Sequence, residues 1–246
     1  MRFSVITCTY NASAVVERTL ESVSRQTYDD VEHIIIDGAS TDDTTDKVRS
    51  YASSSHRHKV VVVSEPDRGL YDAMNKGLRH ASGDYLVFLN AGDRFYDDST
   101  LESLNALIGA KEYGVVYGNT MIVDGQGNEK GLRRLQPPES LTWRSFSDGM
   151  LVCHQSFYAN TAIAKHIAYD LQYRYSADVD WCIRIMKEAE KAGLPLLNSH
   201  MTLCSYLEGG MSVQNHRASL LERFKIMHRH YGLLTTVRKH LTFLFR

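Results

Sequence analysis

Short apolar runs alternate with helical patterns along the first half of the chain. The runs are bounded by turn-forming or polar residues and lie at Phe3–Thr7, His33–Ile36, Val60–Val63, Tyr85–Leu89 and Val115–Tyr117. Between them, apolar residues recur at helical spacing, as at Val16, Leu20 and Val23 and within Ala73–Leu78. Strands that alternate with helices are typical of a mostly parallel sheet with crossover helices. We therefore predict a doubly wound α/β core of five strands and four helices up to Gly118.

Beyond Gly118 this alternation breaks down. Asn119–Val123 and Glu129–Leu135 flank a run of Asp, Gly and Asn residues, so we predict a hairpin there. A strand, a helix and two basic helices are predicted further on, at Leu151–Tyr158, Asp178–Ala192 and residues 211–246. Earlier in the chain, Ser99 and Glu102 have the spacing of a capping box, which would start a helix.

The composition is that of a globular protein with balanced charge. The chain has 246 residues, 43% of them hydrophobic and 23% charged, and 28 Lys and Arg residues against 29 Asp and Glu residues leave a net charge of −1. This balance argues against a protein that coats nucleic acid, and the apolar content excludes disordered and fibrous chains. The four cysteines have neither metal-ligand spacing nor the density of a disulfide framework, so we expect a cytoplasmic protein.

The small net charge hides an uneven distribution. Residues 211–246 contain seven Lys or Arg residues and one acid, Glu222, so this tail carries +6 and residues 1–210 carry −7. Apolar and basic residues alternate in the tail in a way that is typical of a helix at an anionic membrane surface. A solvated helix and a helix that forms a homodimer fit the same pattern. We expect no export signal, and no apolar run approaches the ~20 residues needed to span a bilayer.

Acidic and polar residues follow three strands of the predicted core. Asp37 ends the second apolar run, Glu65–Gly69 follows the third and Asn90–Asp93 follows the fourth. Because ligands of open parallel sheets bind beyond the carboxyl ends of the strands, these groups would meet in one cleft. Several carboxylates in one cleft are costly unless a cation offsets them, which favours a divalent metal. Since neither a GxGxxG motif nor a P-loop occurs, a metal and side chains would have to hold any phosphates.

Six motifs in order resemble those of inverting family 2 glycosyltransferases with the GT-A fold. They are Ser4–Asn11, Ile36–Asp43, Asp67–Gly77, Gly83–Asp93, Tyr175–Trp181 and Gly209–Ser212. The resemblance implies a GT-A type α/β fold with a mostly parallel doubly wound sheet, a small antiparallel region on the acceptor side and C-terminal helices. It divides the chain into a nucleotide-sugar-binding half (1–118), an acceptor-binding and catalytic-base half of the same domain (119–212) and basic helices (213–246).

The resemblance also implies which residues bind the sugar donor. They are Thr9, Tyr10, Asp37, Asp67, Arg68, Asn75 and Asn90. The first three would hold the nucleotide, with the carboxylate of Asp37 accepting hydrogen bonds from the base or the ribose. The others would lie on the donor side, where cations and amides can meet phosphate oxygens and sugar hydroxyls.

The metal motif departs from that of many relatives, which carry Asp-x-Asp-Asp after the fourth strand. Here the segment Asn90–Asp93 keeps one carboxylate, Asp93, which we expect to ligate Mg²⁺ or Mn²⁺ together with diphosphate oxygens and water. Binding of the metal without nucleotide should therefore be weak. His154 is either a further metal ligand, an acceptor-site residue or a hydrogen-bonded core residue.

Sugar transfer with inversion needs a base that deprotonates the acceptor hydroxyl. The resemblance implies that this base lies at the start of the helix on the acceptor side, where Asp178 matches; a simple helix N-cap is the alternative for this acid. Asp180 would support it and is spaced to pair with Arg184. Trp181 either stacks on a sugar ring or belongs to the core.

These expectations combine into one function with two alternatives. We expect a metal-dependent inverting transferase that moves a sugar from a nucleotide diphosphate sugar, a UDP-sugar foremost, to a glycan hydroxyl. The acceptor is a glycan that is free or lipid-linked at the inner face of the cell membrane. The depleted metal motif keeps open a catalytically silent nucleotide-sugar-binding protein. A sugar-phosphate nucleotidyltransferase is the other alternative, but it would need a Gly-rich basic loop where the chain has Asn11–Ala14.

Overall fold

A mixed sheet forms the centre of the protein in the computed structural model, which describes residues 1–54, 57–210 and 215–243. Its strands are β1 Phe3–Thr9, β2 Val31–Asp37, β3 Lys59–Ser64, β4 Tyr85–Phe88, β5 Arg94–Phe95, β6 Val115–Val123, β7 Glu129–Leu132, β8 Phe157–Asn160 and β9 Leu196–Leu207. They are ordered β3-β2-β1-β4-β8-β6-β9-β5, and β7 pairs with β6. The predicted hairpin is thus confirmed as the antiparallel pair β6–β7.

Eight α-helices surround the sheet in the described part of the chain. They are α1 Val16–Ser24, α2 Thr44–Ser53, α3 Leu70–His80, α4 Thr100–Ile108, α5 Thr161–Ala164, α6 Ala177–Lys191, α7 His216–Tyr231 and α8 Leu233–Phe243. Two 3₁₀ helices lie at Trp143–Asp148 and His154–Ser156. The two predicted C-terminal helices are confirmed as α7 and α8. Over the described residues, none of these helices is both long and apolar enough to cross a bilayer.

The first strands run parallel and end at the same edge. β1 pairs with β2 and β4, and β2 pairs with β3, all in parallel. The register places Thr9 beside Asp37, and Asp37 beside Ser64. β1 and β2 are buried along their whole length, which explains why their apolar residues do not follow a strict period of two.

Helices cover both faces of the sheet. On one face, Met74 of α3 and Trp181 of α6 pack against strand residues such as Ile6 in a single buried cluster. On the other face, α1, α2 and α4 bury residues that include Val48 and Leu104. The layers confirm the doubly wound α/β core, and the antiparallel strands beyond residue 118 confirm the change of pattern there.

The capping-box prediction is wrong in its details. Helix α4 begins where expected, but the side chain of Ser99 makes no capping hydrogen bond. Its hydroxyl donates to Asp97 instead, at 3.0 Å. Glu102 accepts a hydrogen bond from Thr27 at 2.7 Å, so a local contact takes one side chain of the expected box and a tertiary contact takes the other.

Two strand predictions also need correction. The predicted strand Leu151–Tyr158 is a 3₁₀ helix at His154–Ser156 followed by β8, because the chain turns before it joins the sheet. The twelve-residue strand β9 was not predicted. Its residues are mostly half-buried, and His200 interrupts the strand with a φ of 57°, so no period of two is visible.

Candidate active site

Asp37 ties together the ends of β1, β2 and β3. It is fully buried, and its carboxylate accepts hydrogen bonds from the hydroxyls of Thr9 at 3.1 Å, Ser64 at 2.7 Å and Thr45 at 3.3 Å. Ser40 adds its hydroxyl at 2.5 Å and its backbone N–H at 3.1 Å. Burial alone would raise the pKa of Asp37, but these hydrogen bonds outweigh it and hold the pKa below its ordinary value. Both oxygens of the carboxylate are therefore already engaged by the protein.

Tyr10 and Asp67 line the open side of this edge. The ring of Tyr10 is 63% exposed. Gly38 forms the floor between them, since a Cβ at this position would collide with the Asp67 carboxylate and lie 3.3 Å from the Tyr10 ring. The other oxygen of Asp67 accepts the N–H of Gly69 at 2.7 Å. The edge thus offers an exposed aromatic ring and a carboxylate over a backbone floor, next to the buried Asp37.

Arg68 and Asn75 have different surroundings. The side chain of Arg68 is 78% exposed and, among the described residues, makes one ion pair, to Asp72 at 3.3 Å. The amide of Asn75 is bonded on both sides to the backbone of Tyr169, donating at 3.0 Å and accepting at 2.7 Å. Arg68 is therefore a cation available at the cleft, whereas Asn75 holds the segment that carries the Tyr169 ring.

Asp93 is the last residue of the loop between β4 and β5, and its side chain is buried. It is 4% exposed, and its oxygens accept hydrogen bonds from Gln155 Nε2 at 2.8 Å and from the backbone N–H of Leu207 at 3.0 Å. Burial raises the pKa of Asp93 to about 7, although both hydrogen bonds and the charge of Arg18 lower it in part. Asp93 thereby links this loop to the 3₁₀ helix before β8 and to the end of β9.

The residues around Asp93 do not fit a pre-formed metal site. In the part of the chain that the structure describes, no three or more His, Cys, Asp or Glu side chains are grouped to hold a metal ion. The Oδ1 atom of Asn90 is buried and lacks a hydrogen-bond donor among those residues, so it is the oxygen best placed to become a ligand. Since the one carboxylate is already in use, a cation here would have to bring most of its ligands with the donor diphosphate.

His154 lies in a cluster of aromatic rings. Its Nε2 is 2.7 Å from the hydroxyl of Tyr169, and its ring stacks on Phe88 with centroids 5.1 Å apart. Burial lowers the pKa of His154 to about 4, which keeps the ring neutral at physiological pH. Of the three roles considered, the hydrogen-bonded core residue fits these surroundings best.

Asp178 stands half-buried in the first turn of α6. Its Oδ1 accepts a hydrogen bond from the hydroxyl of Tyr71 at 3.1 Å, and no other donor contacts its carboxylate among the described residues. Burial, followed by the charge of Asp178, raises the pKa of Tyr71 well above its ordinary value, so the phenol remains a donor. Ser176, not Asp178, takes the N-cap position of the helix. The carboxylate is therefore oriented on one side and available on the other.

Tyr206 lies near the end of β9. Burial, followed by the charges of groups that include Asp93 and Asp178, raises the pKa of Tyr206. A Cβ at Gly210 would collide with the Tyr206 hydroxyl, so the glycine is needed where the chain leaves β9. Met211 and Ser212 of the last motif lie outside the described residues.

Asp180 is fully buried behind the candidate base. The predicted pair with Arg184 is confirmed, with Nε 2.7 Å from Oδ2. The other oxygen is 2.7 Å from Nε2 of His230, a partner that the sequence did not indicate. Burial alone would raise the pKa of Asp180, but His230 and Arg184 outweigh it and lower the pKa. Trp181 is also fully buried, which places it in the core.

Sequence analysis missed several of these contacts. Tyr71 lies within the recognised segment Asp67–Gly77, but only the fold reveals that its hydroxyl reaches Asp178, 107 residues away. Gln155 and Tyr206 follow no pattern that marks them. Glu222 did stand out as the one acid of the basic tail, and its contacts are described below.

Comparisons with known sequences give a family match and a similar relative. The profile of the family described as glycosyl transferase family 2 matches residues 4–166. The chain is 34% identical over 216 residues to a PGL/p-HBAD biosynthesis glycosyltransferase of Mycobacterium bovis. The match covers 85% of this chain and 78% of that protein.

Two solved structures have a similar fold. Residues 1–349 of S. aureus TarS in complex with UDP-GlcNAc superpose with a TM-score of 0.75 at 20% identity, over 93% of this chain and 65% of that chain. The mannosyltransferase PcManGT from Pyrobaculum calidifontis, in complex with GDP-Man and Mn²⁺, gives a TM-score of 0.66 at 20% identity, over 93% of this chain and 64% of that chain. The chain thus spans about two thirds of each of these proteins.

Proposed function

The chain belongs to glycosyl transferase family 2 and is a glycosyltransferase, and we propose that it transfers a sugar from a nucleotide diphosphate sugar to a glycan hydroxyl with inversion. One observation carries the proposed mechanism. Asp178 has one oxygen held by Tyr71 and the other without a donor among the described residues, as a general base requires.

In the proposed reaction, Asp178 takes the proton of the acceptor hydroxyl. The oxygen of that hydroxyl attacks the anomeric carbon on the face opposite the leaving group. The new carbon–oxygen bond forms as the bond to the diphosphate breaks, so the nucleoside diphosphate departs with the electron pair and the configuration inverts. Tyr71 holds the carboxylate by its other oxygen, which fixes the direction from which the proton is removed.

The donor would lie along the edge formed by the ends of β1, β2 and β3. The exposed ring of Tyr10 suits contact with the base or the ribose, and the exposed guanidinium of Arg68 suits a diphosphate. Asp67 would accept from donor hydroxyls, and Thr9 and Asp37 would support the nucleotide from below. The UDP-GlcNAc bound to S. aureus TarS favours a UDP-sugar among the candidate donors.

Two observations support the use of Mg²⁺ or Mn²⁺: the family to which the chain belongs, and the structure of PcManGT in complex with GDP-Man and Mn²⁺. The surroundings of Asp93 give little support to a metal, because this carboxylate is buried and already accepts two hydrogen bonds. If a cation is used, its affinity for the protein without nucleotide should be weak. Comparing Mn²⁺ binding with and without UDP by calorimetry tests this expectation.

The proposed reaction is tested by the release of nucleoside diphosphate from a panel of nucleotide sugars and glycan acceptors, with Mn²⁺ and with EDTA. We expect Asp178→Asn to lower kcat by about 10²–10⁴-fold, because an amide cannot take the proton. Asp46→Asn is the matched control, since Asp46 is 83% exposed on α2. Equal turnover of Asp178→Asn and the wild type would overturn the assignment of the base. Nucleotide binding without turnover of any pair would favour a catalytically silent binding protein.

We also propose that the acceptor is lipid-linked and that helix α8 contacts the membrane. Leu234, Val237 and Leu241 lie on one side of this helix and are 88%, 43% and 56% exposed. Lys239, in contrast, pairs with Asp148 of the protein, so the basic side of the helix is partly used internally. Leu244, Phe245 and Arg246 of the predicted apolar and basic end lie outside the described residues.

Sedimentation with anionic vesicles tests this contact. We expect the double variant Leu234→Ser/Leu241→Ser to lose binding that the wild type shows, because burial of the two leucines in the interface is lost. Leu107→Ser is the matched control, since Leu107 is 45% exposed on α4. Equal sedimentation of the double variant and the wild type would contradict a membrane contact through α8.

A further inference from the structure

Helix α7 contacts the turn that leads into the helix of the proposed base. The two oxygens of Glu222 accept the backbone N–H groups of Arg174 at 2.7 Å and of Tyr175 at 2.8 Å. One turn earlier on α7, the hydroxyl of Ser219 is 2.9 Å from that of Ser176. Ser176 is the N-cap of α6 and makes no capping bond of its own within the helix. The three residues before Ala177 are therefore held by α7.

The same helix also holds α6 just beyond the base. His230, near the end of α7, contacts Asp180 through Nε2 at 2.7 Å and Lys187 through Nδ1 at 3.0 Å. Because an ammonium group only donates, Nδ1 accepts from Lys187 and Nε2 carries the proton that is donated to Asp180. Asp178 thus lies between two points of attachment to α7, one before it in sequence and one after it.

The chemistry of Glu222 suits this contact. Two neighbouring backbone N–H groups need two acceptors, and a carboxylate supplies them with charge-assisted hydrogen bonds. A glutamine offers one acceptor oxygen and would leave one N–H unpaired. Glu222 is also the one acid among the 36 residues from 211 to 246, in a tail that carries seven basic residues. Glu222 is therefore a negative charge in a basic segment, at the point where α7 contacts the turn before α6.

We propose that Glu222 is a positioning residue for Asp178: it fixes residues 174–176 so that the free oxygen of the Asp178 carboxylate faces the acceptor hydroxyl. This inference rests on the proposed role of Asp178 as the base. A displacement of about 1 Å at a reacting group lowers a rate by about 10²-fold. Release of the turn should therefore reduce kcat strongly and leave binding of the nucleotide at the donor edge unchanged.

The test compares Glu222→Ala and Glu222→Gln in the full-length protein. We expect kcat to fall by about 10²-fold for alanine and by about 10-fold for glutamine, which retains one acceptor. The affinity for UDP, measured by calorimetry, should stay within about twofold of the wild type because the site on the donor edge is intact. Glu188→Gln is the matched control, since Glu188 lies on α6 itself and pairs there with Lys191 at the surface.

A double variant separates positioning from a general loss of structure. If Glu222 acts through Asp178, then Asp178→Asn/Glu222→Ala should be no slower than Asp178→Asn alone. Multiplied losses in the double variant, or an equal loss of UDP affinity and kcat in Glu222→Gln, would overturn the proposal. The base assignment fails separately: Asp178→Asn would then be as active as the wild type, whatever the Glu222 variants do.

Discussion

Asp37 should stabilise the fold through its buried carboxylate, and Asp37→Asn tests this role. The substitution keeps the shape of the side chain but removes its charge. A hydrogen bond to a charged group contributes about 1.5–3 kcal/mol and a neutral one about 1 kcal/mol. The two shortest hydrogen bonds come from the hydroxyls of Ser40 at 2.5 Å and Ser64 at 2.7 Å. Asp37→Asn turns both from charged into neutral hydrogen bonds, which should lower the free energy of unfolding. Each conversion costs about 0.5–2 kcal/mol, so the expected loss for the two is about 1–4 kcal/mol.

Thermal and urea unfolding at pH 7 measure this loss. In a protein of this size, 1 kcal/mol shifts Tm by about 2–4 °C, so we expect Tm to fall by roughly 2–16 °C. Asp46→Asn is again the control, because Asp46 is 83% exposed and its contact with Arg49 is 4.0 Å long. The control should change Tm by less than about 2 °C, since exposed pairs contribute little.

The dependence on pH gives the prediction a sign. The pKa of Asp37 is lower in the folded protein than the value of about 3.9 expected in the unfolded chain. Its ionised form therefore stabilises the fold above about pH 4, and this stabilisation is lost as the pH falls through the folded pKa. The difference between Asp37→Asn and the wild type should be largest at pH 7 and shrink toward pH 3. A normal Tm combined with a large loss of UDP affinity would refute the reasoning and assign Asp37 to the ligand.

Two further predictions concern the remaining acids of the cleft. Tyr71→Phe removes the hydroxyl that orients Asp178, so kcat should fall by about 10-fold with an unchanged donor KM. Tyr96→Phe is the control, at a tyrosine that is 38% exposed, and an equal fall of kcat in this variant would contradict the prediction. Asp93, with a pKa raised to about 7, binds a proton in the folded state where the unfolded chain has lost it. The free energy of unfolding of the wild type should therefore fall as the pH rises from about 4 to 7. The Asp93→Asn variant lacks this titration, so its stability relative to the wild type should be higher at about pH 8 than at about pH 5. Parallel stability curves in urea unfolding would contradict this.

Strands buried on both faces were the easiest elements to predict. β1 and β2 are buried along their whole length, so their apolar residues are not spread over a period of two and cluster instead, as at Ile34–Ile36. The runs of β2 and β3 located the loops after them, and with them Asp37 and Asp67. β9 could not be found in this way, since it is half-buried and His200 breaks its alternation.

Contacts between distant segments were beyond the reach of the sequence. Asp93 was predicted from its motif to ligate a metal, but the hydrogen bonds that engage its carboxylate come from Gln155 and Leu207, which are 62 and 114 residues away. The orientation of Asp178 depends on Tyr71 in the same way. Local spacing can predict a pair such as Asp180 and Arg184 on one helix, because four residues fix the geometry.

The pairing of β5 with β9 has a consequence for the order in which the protein becomes active. Arg94 and Phe95 pair with Ser205 and Cys204, and Asp93, which directly precedes them, accepts a hydrogen bond from the backbone N–H of Leu207. A chain emerging from the ribosome can assemble β1 to β4 early, because domains fold from the N-terminus as they are made. The loop that carries Asp93 gains its partner strand only after about a hundred more residues have been synthesised. Nascent chains that stop short of β9 would therefore have a nucleotide edge but no completed catalytic cleft.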